Sequence, residues 1–212
     1  MIQIHTISIG QPQTHADERG TWRSAIYRQP VIGPIELEVR GLAGDQVADT
    51  EHHGSADQAV CCHPIAHYAA WNVEYGLAEG VRLGPGSVGE NWTIDNATEH
   101  DVCVGDIFTV GSATVQVSGP RYPCTKQERK LKLPAFHRRT IETLRTGWYL
   151  RVLAGGVVRA GDCWELRDRA HPAYTLQRIN ACGHHGFDPD FAQAAHDLPE
   201  LAAVWKLSLI HI

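Results

Sequence analysis

The 212-residue chain predicts a mainly β fold with helices (α+β): a β-barrel domain over residues 1–168, then a C-terminal segment of three short helices over 169–212. Three observations carry this expectation. Short runs of alternating apolar and polar residues recur between Gly, Asn and Asp punctuation as far as Arg167, a pattern of barrels and sandwiches. After Arg169 the spacing turns helical and acquires helix-start signals. The composition, 43% apolar and 20% charged, is that of a globular chain long enough to bury a substantial core.

Taken in order, Met1 to Gly10 alternates with β-branched enrichment and reads as a first strand. Ile35 to Val39 is a second, closed by the Gly41 to Asp45 punctuation. Glu51 to Gln58 has turn chemistry and no period, so a polar loop delivers the chain into an amphipathic helix from Pro64 to Tyr75, ending at Gly76. Ser87 to Ile94, Asp106 to Val110 and Thr114 to Ser118 are short strand candidates. A helix is expected from Pro134 to Leu144, and strands from Gly147 to Leu153 and from Cys163 to Leu166 around the Gly155-Gly156 turn. The tail helices are placed at Tyr174 to Cys182, after the Asp188-Pro189 cap, and at Pro199 to Trp205. Ser208 to Ile212 is unusually apolar for a free end, which suggests a truncated or altered C-terminus.

Charge and composition exclude several classes. The formal net charge is -5 with Lys and Arg scattered, so the electrostatic footprint of a duplex nucleic-acid binder is missing. No apolar run approaches the roughly 20 residues that cross a bilayer, and the N-terminus lacks a signal-peptide pattern, which places the expected protein in the cytoplasm. The six cysteines are irregularly spaced and read as reduced thiols.

One of them stands out. Cys124 follows Gly119-Pro-Arg-Tyr-Pro123 at the exit of a predicted strand, with Arg121, Lys126, Arg129 and Lys130 close by in sequence. Basic neighbours favour the thiolate, the form that binds metals or attacks electrophiles. A cysteine merely buried at a strand end fits the same local sequence, but two prolines flanking an exposed turn favour function. His52, His53, Cys61, Cys62, His63 and His67 form a second cluster in which His63 and His67 stand four apart on one helix face, a spacing that can hold zinc; no Cys-x-x-Cys or second ligand pair accompanies it. Gly86 to Asn91 is a glycine-punctuated turn whose backbone donors could cradle an anion. Trp148, Tyr149 and Arg151 alternate along a strand, so one of these side chains or its neighbour faces inward.

In order, His52-His-Gly-Ser-x-Asp-x-Ala-Val60, Val88-Gly-Glu-Asn91, Pro120-Arg-x-Pro-Cys-x-Lys126 and Gly147-Trp-Tyr-Leu-Arg-Val152 resemble the MOSC domain, and within it the YiiM-like proteins. The resemblance spans Arg40 to Asp162, and the YiiM-like group also has a C-terminal three-helix segment. It implies a β-barrel that binds molybdenum cofactor (molybdopterin) with Cys124 as the sulfur ligand to the metal. His53, Gly54, Glu90, Asn91, Arg121 and Lys126 fall on motif positions expected around the pterin and its phosphate. The implied activity is reduction of N-hydroxylated small molecules, hydroxylaminopurine-type bases and amidoximes, with Arg121 or His53 assisting proton delivery. The chain has no Rossmann glycine fingerprint and no ferredoxin-like cysteine set, so a separate electron-donor reductase is implied; the family also implies a homodimer. Two departures stand: Ser55 replaces the second glycine of the usual His-Gly-Gly, and the final helix is shorter and less basic than in relatives.

Two rival readings use the same residues. Cys124 could carry a persulfide as a sulfur carrier or transferase without molybdenum, or the chain could bind cofactor without turnover.

Overall fold

The computed structural model describes residues 1–51 and 53–210. In chain order, β1 (Gln3–Ile9), the hairpin β2 (Gln13–Asp17) and β3 (Gly20–Ser24), β4 (Gln29–Pro30), β5 (Ile35–Glu38) and β6 (Gly41–Leu42) come first. A single 3-10 turn over Ala56–Gln58 leads to β7 (Val60–Pro64), α1 (Ile65–Glu74), β8 (Trp92–Asp95), β9 (Ile107–Val110) and β10 (Ala113–Pro120). Helices α2 (Thr125–Leu131) and α3 (Phe136–Thr143) precede β11 (Trp148–Ala154), β12 (Gly156–Val158) and β13 (Trp164–Asp168); α4 (Leu176–His184), α5 (Pro189–His196) and α6 (Ala203–Ile210) follow.

Among the described residues, the main sheet has eight strands in the order β13-β9-β10-β11-β7-β8-β1-β4, curled into a half-barrel. Its ends approach each other where β1 meets the segment before β13: Trp164 N–H donates to Ile2 O at 2.9 Å, Gly161 N–H to Ile4 O at 2.8 Å, and Ile4 N–H to Asp162 O at 3.0 Å. The sheet is antiparallel except for β7 and β8, which run parallel. A parallel pair needs a crossover, and α1 supplies it. Inside the curl, Trp92, Trp148, Trp164 and Phe108 pack edge to face. The tail helices contribute Leu176, Ile179, Leu201, Trp205 and Leu209 to the same apolar cluster as the strands.

Several elements differ from expectation for identifiable reasons. Strand β7 stands where a polar loop was expected to run directly into α1; all five of its residues are buried, and a strand covered on both faces shows no alternation. Hairpin β2–β3 and helix α2 are largely polar in sequence, and contacts between them help hold both: Arg129 of α2 pairs with Asp17 at 2.6 Å and lies over the Trp22 ring. The last helix starts at Ala203 rather than Pro199, because Ala202 N–H donates to Ser118 O of β10 at 2.8 Å and holds that backbone to the sheet. At α5 the sequence signal holds: the Asp188 side chain accepts from Phe191 N–H, and Pro189 occupies the first turn. Among the described residues, no helix is long and apolar enough to cross a membrane.

Candidate cofactor and active site

Loops and strand ends of the half-barrel line a cavity of about 350 Å³ that is open on one side. Its wall takes residues from the segment between β3 and β4, the stretch from Asp45 to Gly54, β7, the turn before β8, the exit of β10, the start of α2, and β11. Of the residues singled out in the sequence, Cys124, Arg121, His53, Gly54, Cys61, Asn91, Lys126 and Tyr149 line it. Glu90 does not. It is fully buried behind the wall, where its Oε1 accepts from the Tyr68 hydroxyl at 2.6 Å, Gly86 N–H at 2.7 Å and Thr93 Oγ1 at 2.8 Å. The acid of the glycine-punctuated turn therefore takes up one of that turn's own donors.

Two backbone features place the sulfur. Arg121 N–H donates to Gly147 O at 2.9 Å, which holds the β10 exit against β11. Cys124 then caps α2: its N–H reaches Gln127 Oε1 at 3.5 Å, and its carbonyl accepts from Gln127 N–H at 3.0 Å. The Cys124 thiol is half-buried at the cavity. A second thiol, Cys61 of β7, also lines it but is buried, and that burial pushes its pKa up. Of the two, Cys124 is the sulfur less withdrawn from the cavity.

The charges divide into satisfied and available groups. Arg28 is neutralised by Asp45 at 3.0 Å, which also receives Asn91 Nδ2 at 2.9 Å and Gly10 N–H at 2.7 Å. Asn91 in turn accepts from Cys61 N–H at 3.1 Å; it is a brace whose side chain is spent on the protein. Lys126 sits at the rim, 3.5 Å from Asp49. Arg121 is different: it is 7% exposed, its Nη2 donates to Val88 O at 3.0 Å, and its Nε and Nη1 have no partner among the described residues. Buried donors left unpaired are costly, so these two are set for a ligand or water. Arg129 turns away to Asp17, and Lys130 donates to Ile26 O and Gly86 O at 3.0 and 2.7 Å. Burial lowers Lys130 to a pKa of about 8.

Gly54 has φ +85°, and a Cβ there would stand 2.8 Å from Val47 Cγ2. Glycine is what lets these two wall segments meet. Its neighbour Ser55 has φ -66°, an ordinary value for an L-residue, so serine where a second glycine was expected is free of strain. Arg28, Asp45 and Cys61 were not legible as wall residues: Asp45 read as turn punctuation, and its partners are far away in sequence. Tyr149 was one of the alternating candidates and is the residue of its strand that faces the cavity, while Trp148 enters the core and Arg151 pairs with Asp57 at 2.7 Å.

The histidine cluster is not a zinc site among the described residues, where no group of three or more His, Cys, Asp or Glu could hold a metal; His52 lies outside them. His63 belongs to β7 rather than to the helix, and His67 Nε2 is engaged by Glu99 Oε2 at 2.8 Å. Burial, reinforced by His67 and Arg121, holds His63 well below the usual imidazole range. The sign follows directly: below about pH 6.5 the unfolded chain takes up a proton that the folded chain refuses, so stability falls on acidification. The expected loss is up to about 1.4 kcal/mol per pH unit from this group, read as a falling Tm between pH 7 and 5.5. His63→Gln should flatten that slope, and an unchanged slope would contradict the assignment.

Residues 49–165 match the model of the MOSC domain. The chain belongs to the MOSC-domain family. Among its relatives, YflK of Bacillus subtilis is 34% identical over 86% of this chain and 80% of its own length. A Gibberella moniliformis protein named Reductase is 35% identical over 76% of this chain but only 28% of that larger protein. The crystal structure of YiiM from Geobacillus stearothermophilus superimposes with a TM-score of 0.83 at 32% identity, covering 100% of this chain and 98% of that one. Within the MOSC family the chain falls in the YiiM-like subgroup. MOSC domains are generally associated with molybdenum cofactor binding.

Proposed function

We propose that this MOSC protein holds molybdenum cofactor in the Arg121–Cys124 cavity and reduces N-hydroxylated small molecules, with electrons from a separate reductase and as a homodimer. The observation that carries the reading is the half-buried Cys124 thiol in one cavity with a buried guanidinium that has two unpaired donors. A soft sulfur suits a molybdenum centre, and unpaired cationic donors suit the oxygens of an anionic pterin. The donor set therefore fits the group.

When bound, the cofactor supplies the two-electron chemistry. The chain's own residues bind and orient. In this reading Cys124 anchors the metal, Arg121 donates from Nε and Nη1 to bound oxygens, and Lys126 at the rim attracts the phosphate. Gly54 brings His53 to the wall, where it assists proton delivery. Asn91 fixes the Cys61 backbone and Asp45, while Glu90 supports the wall from behind. Tyr149 lines the cavity, and burial pushes its phenol pKa up, so it stays a neutral O–H donor. The name of the fungal relative, Reductase, accords with a redox role.

The test is turnover of a hydroxylaminopurine-type base to the amine with reduced viologen as donor, using protein from a host that makes molybdenum cofactor. The parent should turn over, and Cys124→Ala should lose about 100-fold or more, beyond the usual loss from an outer-shell change. Full activity in Cys124→Ala would refute the reading. A persulfide mass adduct on Cys124 in molybdenum-free parent would favour the sulfur carrier instead, and cofactor bound without turnover would favour a binding module.

A further inference from the structure

Behind the Arg121 wall lies a run of buried polar side chains that cofactor binding does not use. It begins with His67 and Glu99, joined at 2.8 Å, of which His67 retains 10% side-chain exposure. The His63 ring lies 5.2 Å from that of His67 and 5.1 Å from that of Tyr68, centroid to centroid. The Tyr68 hydroxyl donates to Glu90. The Val88 peptide then links this hydroxyl to the cavity: its N–H donates to Tyr68 at 3.3 Å and its carbonyl accepts from Arg121 at 3.0 Å.

The run carries a concentration of unpaired buried atoms. Glu90 Oε2 and Arg121 Nε and Nη1 have no hydrogen-bond partner among the described residues, and the His63 ring reaches only the Thr146 backbone, outside good hydrogen-bond geometry, although these residues are 0%, 7% and 1% exposed. Native proteins rarely leave such atoms dry, and a buried water needs two to four polar partners of this kind.

We infer that this run holds internal water and conducts protons from the His67–Glu99 pair, through His63, Tyr68 and Glu90, to water held by Nε and Nη1 of Arg121 at the cavity, the guanidinium itself staying charged throughout. The inference rests on the reductase reading, which creates the demand. Cleaving the N–O bond of R–NHOH takes two electrons from the external reductase and two protons; nitrogen leaves as the amine and oxygen as water. Those protons must reach the reacting oxygen and nitrogen, and a neutral imidazole beside a tyrosine–carboxylate pair is a suitable carrier. Burial keeps His63 neutral.

Two experiments test it. A crystal structure of the chain at high resolution should show ordered water bonded to His63, Glu90 Oε2 and Arg121; a dry cluster overturns the inference whatever the activity. In molybdenum-loaded protein with reduced viologen, Tyr68→Phe and His67→Ala should keep their molybdenum. Each should lose about tenfold or more in turnover and change the solvent isotope effect, and imidazole should restore His67→Ala. Unchanged turnover in both variants overturns proton conduction, and loss of molybdenum from Tyr68→Phe assigns the run a structural role instead. A hydrated cluster in a parent that cannot reduce the N-hydroxylated base would sink the reductase reading and the proton-conducting role with it, leaving the water alone established.

Discussion

Gly147→Ala is expected to destabilise the protein by about 3–5 kcal/mol, at the severe end of single substitutions. Gly147 has φ +74°, and an added Cβ would lie 2.2 Å from the carbonyl oxygen of Cys62. That neighbour is backbone of the central strand β7, so it cannot swing aside as a side chain would. The left-handed conformation alone costs alanine roughly 1–2 kcal/mol; forcing β7 from β11 adds the rest. The same residue ties both halves of the site together, since its N–H donates to Glu99 Oε1 at 2.6 Å and its carbonyl receives Arg121 N–H. Gly76→Ala is the control: φ is +59° with nothing within 4 Å of the added Cβ, and the cost there should be only about 1 kcal/mol. Urea unfolding of both variants checks this, and equal losses would contradict the clash.

Trp205→Ala is expected to cost about 3–5 kcal/mol and to lower cofactor retention as well. The indole is fully buried and its Nε1 donates to Pro120 O at 2.7 Å, directly before Arg121 and four residues before Cys124. Its ring packs against Tyr122 and His184 with centroids 5.4 and 5.7 Å away. The tail helix thus buttresses the loop that presents the sulfur. Trp205→Phe keeps most of the packing and removes the hydrogen bond, so it should lose about 1–2 kcal/mol with a smaller fall in bound molybdenum. Unfolding midpoints and metal content, measured together, check both variants; full metal retention in Trp205→Ala would show that the loop holds itself.

What was legible in the sequence follows from where the stabilising contacts lie. β1, β10, β11 and β13 each border a buried face, and their alternation or turn punctuation is local. α5 announced itself through Asp188 and Pro189, because a cap is a local bond. β7 was not legible, since Val60 to Pro64 is buried on both faces and adjoins a parallel partner 30 residues away, at Trp92. The start of α6 was misplaced because a tertiary bond from Ala202 to Ser118 decides it. In the site, the motifs carried Cys124, Arg121 and Gly54 to the cavity, while the Arg28–Asp45 pair and the Cys61 thiol were brought there by the fold. Glu90 shows the limit of motif reading: it stands one residue from Asn91 in sequence yet behind the wall rather than in it.

The most direct measurement of the central claim is molybdenum and pterin content in protein purified from a host that makes the cofactor, parent beside Cys124→Ala. Near-stoichiometric molybdenum in the parent, lost in the variant, is the predicted result. A parent free of molybdenum, or a variant that keeps it in full, would contradict the assignment of Cys124 as the ligand.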